Sequence, residues 1–153
     1  MKQKCKVILG IGSRLMEDDG IGVRVAEKLT VDPSMRDFTV GIGETDVDYC
    51  LGLLKEAEFC VVLDAADRGE SPCTVRVQRL GEVLSEGHAV QSFHDFDLLQ
   101  AMRREGMTLP GLLITVEAGS VSFGPELSIV MQEHFEEVVR EIKQIILLCQ
   151  VFE

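Results

Sequence analysis

The sequence predicts an α/β protein, a three-layer α/β/α sandwich around a mostly parallel, twisted sheet. Three observations carry that expectation. Short apolar runs, Val7-Ile8-Leu9 and Phe59-Cys60-Val61-Val62-Leu63, read as strands covered on both faces. Segments with apolar residues at helical spacing alternate with them. Hydrophobic residues make up 46% of the chain while Trp is absent and aromatics are few, so Val, Ile, Leu and Met must build the core.

Taken in order, residues 5–10 read as a buried strand that stops at Gly10-Ile11-Gly12. Ile21, Val25, Ala26 and Leu29 recur at helical spacing, predicting a helix from about Gly20 to Leu29 that Pro33 closes off. Phe38–Ile42 is the second strand, ending at Gly43-Glu44-Thr45. Leu51, Leu54 and Ala57 mark the second helix, and Phe59–Leu63 the central strand. Thr74–Leu80 alternates Val75 and Val77 with Arg76, Gln78 and Arg79, a pattern for a strand near the sheet edge with one wet face. A polar loop, 81–92, leads to a helix over Phe93–Arg104 with Phe96, Leu99 and Met102 on one face. Pro110 precedes the strand Leu112–Val116. A long helix runs from about Pro125 to Cys149 on the stripe Leu127, Met131, Phe135, Val138, Ile142, Ile145.

The 153 residues suit a single domain, 1–153, with no internal repeat or linker. A formal net charge of −11 disfavours nucleic acid and anionic membrane surfaces as partners. No stretch reaches membrane-spanning length. Lys2, Lys4 and Lys6 are followed by a strand, not by the apolar core of a secretory signal. The five cysteines are odd in number and form no CxxC pair, so small buried thiols are expected rather than a disulfide framework or a structural zinc site. These features together predict a cytoplasmic protein. A monomer is expected, although the apolar Val151 and Phe152 suit either packing or an interface.

Ligands of open α/β sheets bind outside the carboxyl ends of the strands. Asp19 follows the first strand and its loop, Asp64 ends the run Val61-Val62-Leu63, and His94 stands where the polar loop enters a helix. Two carboxylates and an imidazole form a ligand set suited to Ni, Zn, Co or Fe rather than to Mg or Ca. Each residue has a plainer alternative. Asp19 is well placed as a helix N-cap, with Asp18 competing for that role. Asp64 fits a turn, and His88 stands in the same loop as His94. His134, among Glu133, Glu136 and Glu137, is expected in solvent. The Gly-Ile-Gly turn lacks the spacing of a dinucleotide fingerprint, and its acids would repel a pyrophosphate. Ser13 could act as a nucleophile with His94 and Asp64, although Gly12-Ser13-Arg14 is not the GxSxG elbow.

The run Gly10-Ile11-Gly12-Ser13-Arg14-Leu15-Met16-Glu17-Asp18-Asp19-Gly20-Ile21-Gly22 resembles the N-terminal signature of the hydrogenase maturation proteases. Further segments match in order: Val62-Leu63-Asp64-Ala65-Ala66, Ser92-Phe93-His94-Asp95, Thr115-Val116-Glu117-Ala118-Gly119-Ser120 and Phe123-Gly124-Pro125-Glu126-Leu127-Ser128. The resemblance implies a phosphorylase/hydrolase-like fold. It implies an aspartic-type endopeptidase that removes the C-terminal extension of a [NiFe] hydrogenase large-subunit precursor after nickel insertion. Asp19, Asp64 and His94 would be its metal-binding and catalytic trio. The nickel is expected on the precursor, with Zn or Cd able to take its place, and Glu17 and Asp18 would support the trio. Two positions depart from the family pattern: Ser13 replaces the usual Asn, and Glu44 stands where glycine is common. Two rival readings use the same residues. One is a nickel-sensing chaperone that holds the large subunit without cutting it; the other is a Ser13-based serine hydrolase.

Overall fold

The computed structural model describes residues 5–86 and 95–151. Five strands form one sheet in the order β2-β1-β3-β5-β4: β1 Cys5–Ile11, β2 Phe38–Glu44, β3 Ala57–Ala66, β4 Val75–Arg79 and β5 Gly111–Glu117. All neighbouring pairs are parallel except β4, which joins β5 antiparallel at the sheet edge, as its alternating pattern predicts.

Alternation along the strands divides the apolar side chains into two cores. On one face Val7, Leu9, Cys60, Val62 and Leu113 meet helices α2 Val47–Lys55, α3 Leu80–Glu86 and α4 Asp95–Arg104. On the other face Ile8, Val61, Leu63 and Ile114 meet α1 Ile21–Thr30 and α5 Ile129–Val151. The three layers are therefore those expected. β3 is apolar on both faces over Phe59–Leu63 because helices cover it on both sides. Among the described residues, no helix is long and apolar enough to cross a membrane.

Several boundaries differ from the sequence expectation. Ala57 opens β3 rather than closing α2, whose last turn stops at Lys55. β3 runs on to Ala66, so Asp64 lies inside a strand and not in a turn. The first part of the expected loop 81–92 is helical: α3 follows β4 directly and seats Leu80 and Val83 in the core. α5 starts at Ile129, since residues 125–128 are engaged elsewhere, as described below. His88 and His94, with the rest of 87–94, lie outside the described residues, as does Phe152. All five cysteines are free thiols, and Cys50 and Cys60 are buried. Burial pushes the Cys50 thiol up to about 11, with Asp46 adding to the effect, and raises Cys60 further.

Candidate active site

The chain leaves β1 for β2 on one side and leaves β3 for β4, the edge strand beyond β5, on the other. The carboxyl ends of β1 and β3 thus flank the point where the strand order reverses, the position where open α/β sheets bind ligands. The loop after β1 and the last residues of β3 both reach this point.

That loop is not a plain helix entry. Gly12, with φ +126, turns the chain out of β1, and its N–H donates to the Glu44 carbonyl at 2.9 Å. The Ser13 hydroxyl accepts the Leu15 N–H at 3.2 Å, a local turn bond that Ser provides in place of Asn. Glu17–Gly20 then forms a single 3-10 turn before α1. Gly20, not Asp19 or Asp18, occupies the N-cap position of α1, and no side chain caps it. The plainer reading of both acids as helix caps is thereby corrected.

Asp19 is instead 7% exposed, and its Oδ2 accepts the Ser13 N–H at 2.9 Å. The bond folds the loop back on itself and fixes one carboxylate oxygen. Asp64 is 1% exposed, and its Oδ1 accepts the N–H of Ala65 at 2.8 Å. What seats the turn that carries Asp19 on the end of β3 is Gly22. A Cβ built there would overlap the Leu63 carbonyl oxygen and lie 3.0 Å from Asp64 N. Only a glycine lets the first turn of α1 rest on the Leu63–Asp64 peptide, which carries the turn holding Asp19 onto β3.

Asp18, 0% exposed, has a different task. Its Oδ2 accepts Gly119 N–H at 2.7 Å, Ser120 N–H at 3.2 Å and the Ser128 hydroxyl at 2.6 Å, while Oδ1 accepts Ser128 N–H at 2.8 Å. Ser128 Oγ in turn accepts Met131 N–H at 3.3 Å and caps α5. Glu17 adds a bond from the Ser120 hydroxyl, and its N–H meets the Gly124 carbonyl. One buried carboxylate thus ties the loop after β1 to the segment after β5 and to the start of α5. It fixes Ser128 just ahead of the first residue of α5. Glu117, also buried, accepts the Arg68 N–H with both carboxylate oxygens and closes the turn after β3. Neither role is visible in local sequence; the Gly119-Ser120 and Ser128 segments are the one hint.

Glu44 ends β2 with φ +49, a left-handed conformation that favours glycine. Its carboxylate pairs with Arg14 Nε at 2.7 Å, and Arg14 also bonds Glu27 on α1. The departure from glycine at this position is therefore accompanied by an ion pair to the loop. His134 is exposed on α5, as expected. Among the described residues no group of three His, Cys, Asp or Glu side chains is placed to hold a metal. The structure therefore places Asp19 and Asp64 at the switch point, while the third candidate, His94, falls in the segment not described.

The hydrogenase maturation protease family, HycI, matches residues 23–147. The chain belongs to this family. Within it, 78 residues are 36% identical to the hydrogenase expression/formation protein HupD of Rhodobacter capsulatus, covering 50% of this chain and 37% of that protein. The chain thus spans under half the length of that curated relative. Solved structures of hydrogenase maturation proteases share the fold. The hydrogenase maturating endopeptidase HybD from E. coli superposes with a TM-score of 0.74 at 23% identity, over 90% of this chain and 89% of that one. The [NiFe] hydrogenase maturation protease HybD from Thermococcus kodakarensis gives 0.71 at 22%, over 92% and 98%.

Proposed function

We propose that this hydrogenase maturation protease family member is an endopeptidase that removes the C-terminal extension of a [NiFe] hydrogenase large-subunit precursor once nickel has been inserted. The observation that supports it best is the pair of buried acids, Asp19 and Asp64, at the β1/β3 switch point. Buried carboxylates are costly unless they are fixed and used, and these two are fixed by Ser13 and Ala65 N–H groups. With His94 they make a mixed oxygen and nitrogen set that suits nickel.

Nickel arrives as part of the substrate. Asp19, Asp64 and His94 would hold it, so that a loaded precursor would be preferred over an empty one. A metal held there would serve as the recognition element and could also polarise the scissile carbonyl or activate water. The protein's own contribution is pre-organisation: each acid is locked by a backbone donor before the substrate arrives. A cytoplasmic location and action as a monomer fit this role.

The test is a cleavage assay on the purified precursor, with and without nickel. Loss of the tail only from the loaded precursor supports the proposal, and His94→Ala should abolish that loss. Unchanged processing by the variant sinks the site assignment. A stable complex with an intact tail would instead support the chaperone. Fluorophosphonate labelling that Ser13→Ala removes would support the serine hydrolase.

A further inference from the structure

Thr115 is 1% exposed, and its Oγ1 has no hydrogen-bond partner. An unpaired buried hydroxyl weakens a fold. Valine has nearly the same shape, and the residues around Thr115 on β5, Leu113, Ile114 and Val116, are all apolar. Packing alone therefore gives no reason for the hydroxyl.

Its position does. In the parallel register of β3 and β5, Thr115 is the direct partner of Asp64. Val62 and Leu113, each two residues earlier, both lie in the core facing α2–α4, so Asp64 and Thr115 project to that same face. Neighbouring strands are about 4.8 Å apart, so the two paired side chains stand side by side on this face.

We propose, resting on the proteolytic reading of this site, that Thr115 is a positioning residue for Asp64. Its O–H turns onto the Asp64 carboxylate when that group engages the metal carried by the substrate. It then adds a fixed donor beside the Ala65 N–H. The carboxylate then keeps one orientation towards the ligand, as partners behind metal-binding carboxylates generally ensure.

The test compares Thr115→Val and Thr115→Ser with wild type on the nickel-loaded precursor. Thr115→Val should lower kcat by about tenfold, the worth of one hydrogen bond to a charged group, while KM stays within about twofold. Its melting temperature should be unchanged or higher, because no bond is lost in the free protein. Thr115→Ser should restore kcat. A Thr115→Val enzyme with wild-type kcat overturns the inference. So does a lowered melting temperature with no rescue by serine, which would mark a packing role. A wild-type protein that leaves the loaded precursor uncut overturns the proteolytic reading, and this inference with it.

Discussion

Replacing Asp18 by Asn tests how the loop after β1 is held. Asn keeps one oxygen and gains an NH2 donor. Its better orientation places the oxygen where Oδ2 stands, saving the bonds from Gly119 N, Ser120 N and Ser128 Oγ. The NH2 then faces Ser128 N–H across 2.8 Å, donor against donor. One hydrogen bond to a charged group is lost, worth about 1.5–3 kcal/mol, and two buried donors are stranded. The three bonds that remain lose their charge assistance. A destabilisation of about 3 kcal/mol follows, which for a chain of this length lowers Tm by roughly 6–12 °C. Ser128→Ala, which removes the hydroxyl bond and the α5 cap, should cost about 1–2 kcal/mol. Urea and thermal melts of the three proteins provide the measurement. If Asp18→Asn melts with wild type, the carboxylate is not the tie between the loop, residues 119–120 and α5, and the argument for a pre-organised site fails at its base.

Two glycine-to-alanine changes should act in opposite directions. Gly22→Ala forces a Cβ to within 2.6 Å of the Leu63 carbonyl carbon, a backbone atom that cannot step aside, and should lose about 1–3 kcal/mol. Gly52→Ala, in α2 with open space around its Cβ, should gain about 0.5–1 kcal/mol from helix propensity; equal effects in urea melts would refute the contact argument. Asp32 is bonded by Lys143 at 2.8 Å and by Ser34, which together hold its carboxyl at about 2, below the ordinary 3.8. A lowered folded-state pKa stabilises above the unfolded value and is lost as pH falls towards the folded one. The gap in urea midpoint between wild type and Asp32→Asn should therefore be constant above about pH 5 and close between pH 3.8 and about 2; a gap independent of pH would refute the pairing. Finally, all five thiols should react with a maleimide in denaturant, while Cys50 and Cys60 should resist it in the native protein; rapid native labelling of either would contradict its burial.

The strands and helices were legible because burial leaves a period in the sequence. β3 read as central from Phe59–Leu63, and β4 as an edge from the alternation at Val75–Arg79. The boundaries that slipped are those where tertiary pairing overrides local pattern. Ala57 suits a helix by propensity, but pairing with Cys5 puts it in β3. Residues 81–92 read as a polar loop, yet Leu80 and Val83 suffice to seat a helix over Leu80–Glu86 against the α4 layer.

The candidate site divides in the same way. Sequence by itself singled out the groups proposed to carry the chemistry, Asp19, Asp64 and His94, and a signature that resembles the family to which the chain belongs. Tertiary structure alone decided how the two acids are held. It moved Asp19 from helix cap to a carboxylate held by Ser13, made Asp18 the tie, and set Thr115 beside Asp64. The reason is one of separation. Asp18 meets partners 101 to 110 positions away, and Thr115 meets Asp64 only through strand register. Hydrogen bonds across such distances leave no periodic trace in the chain, because the fold, and not the local sequence, brings donor and acceptor together.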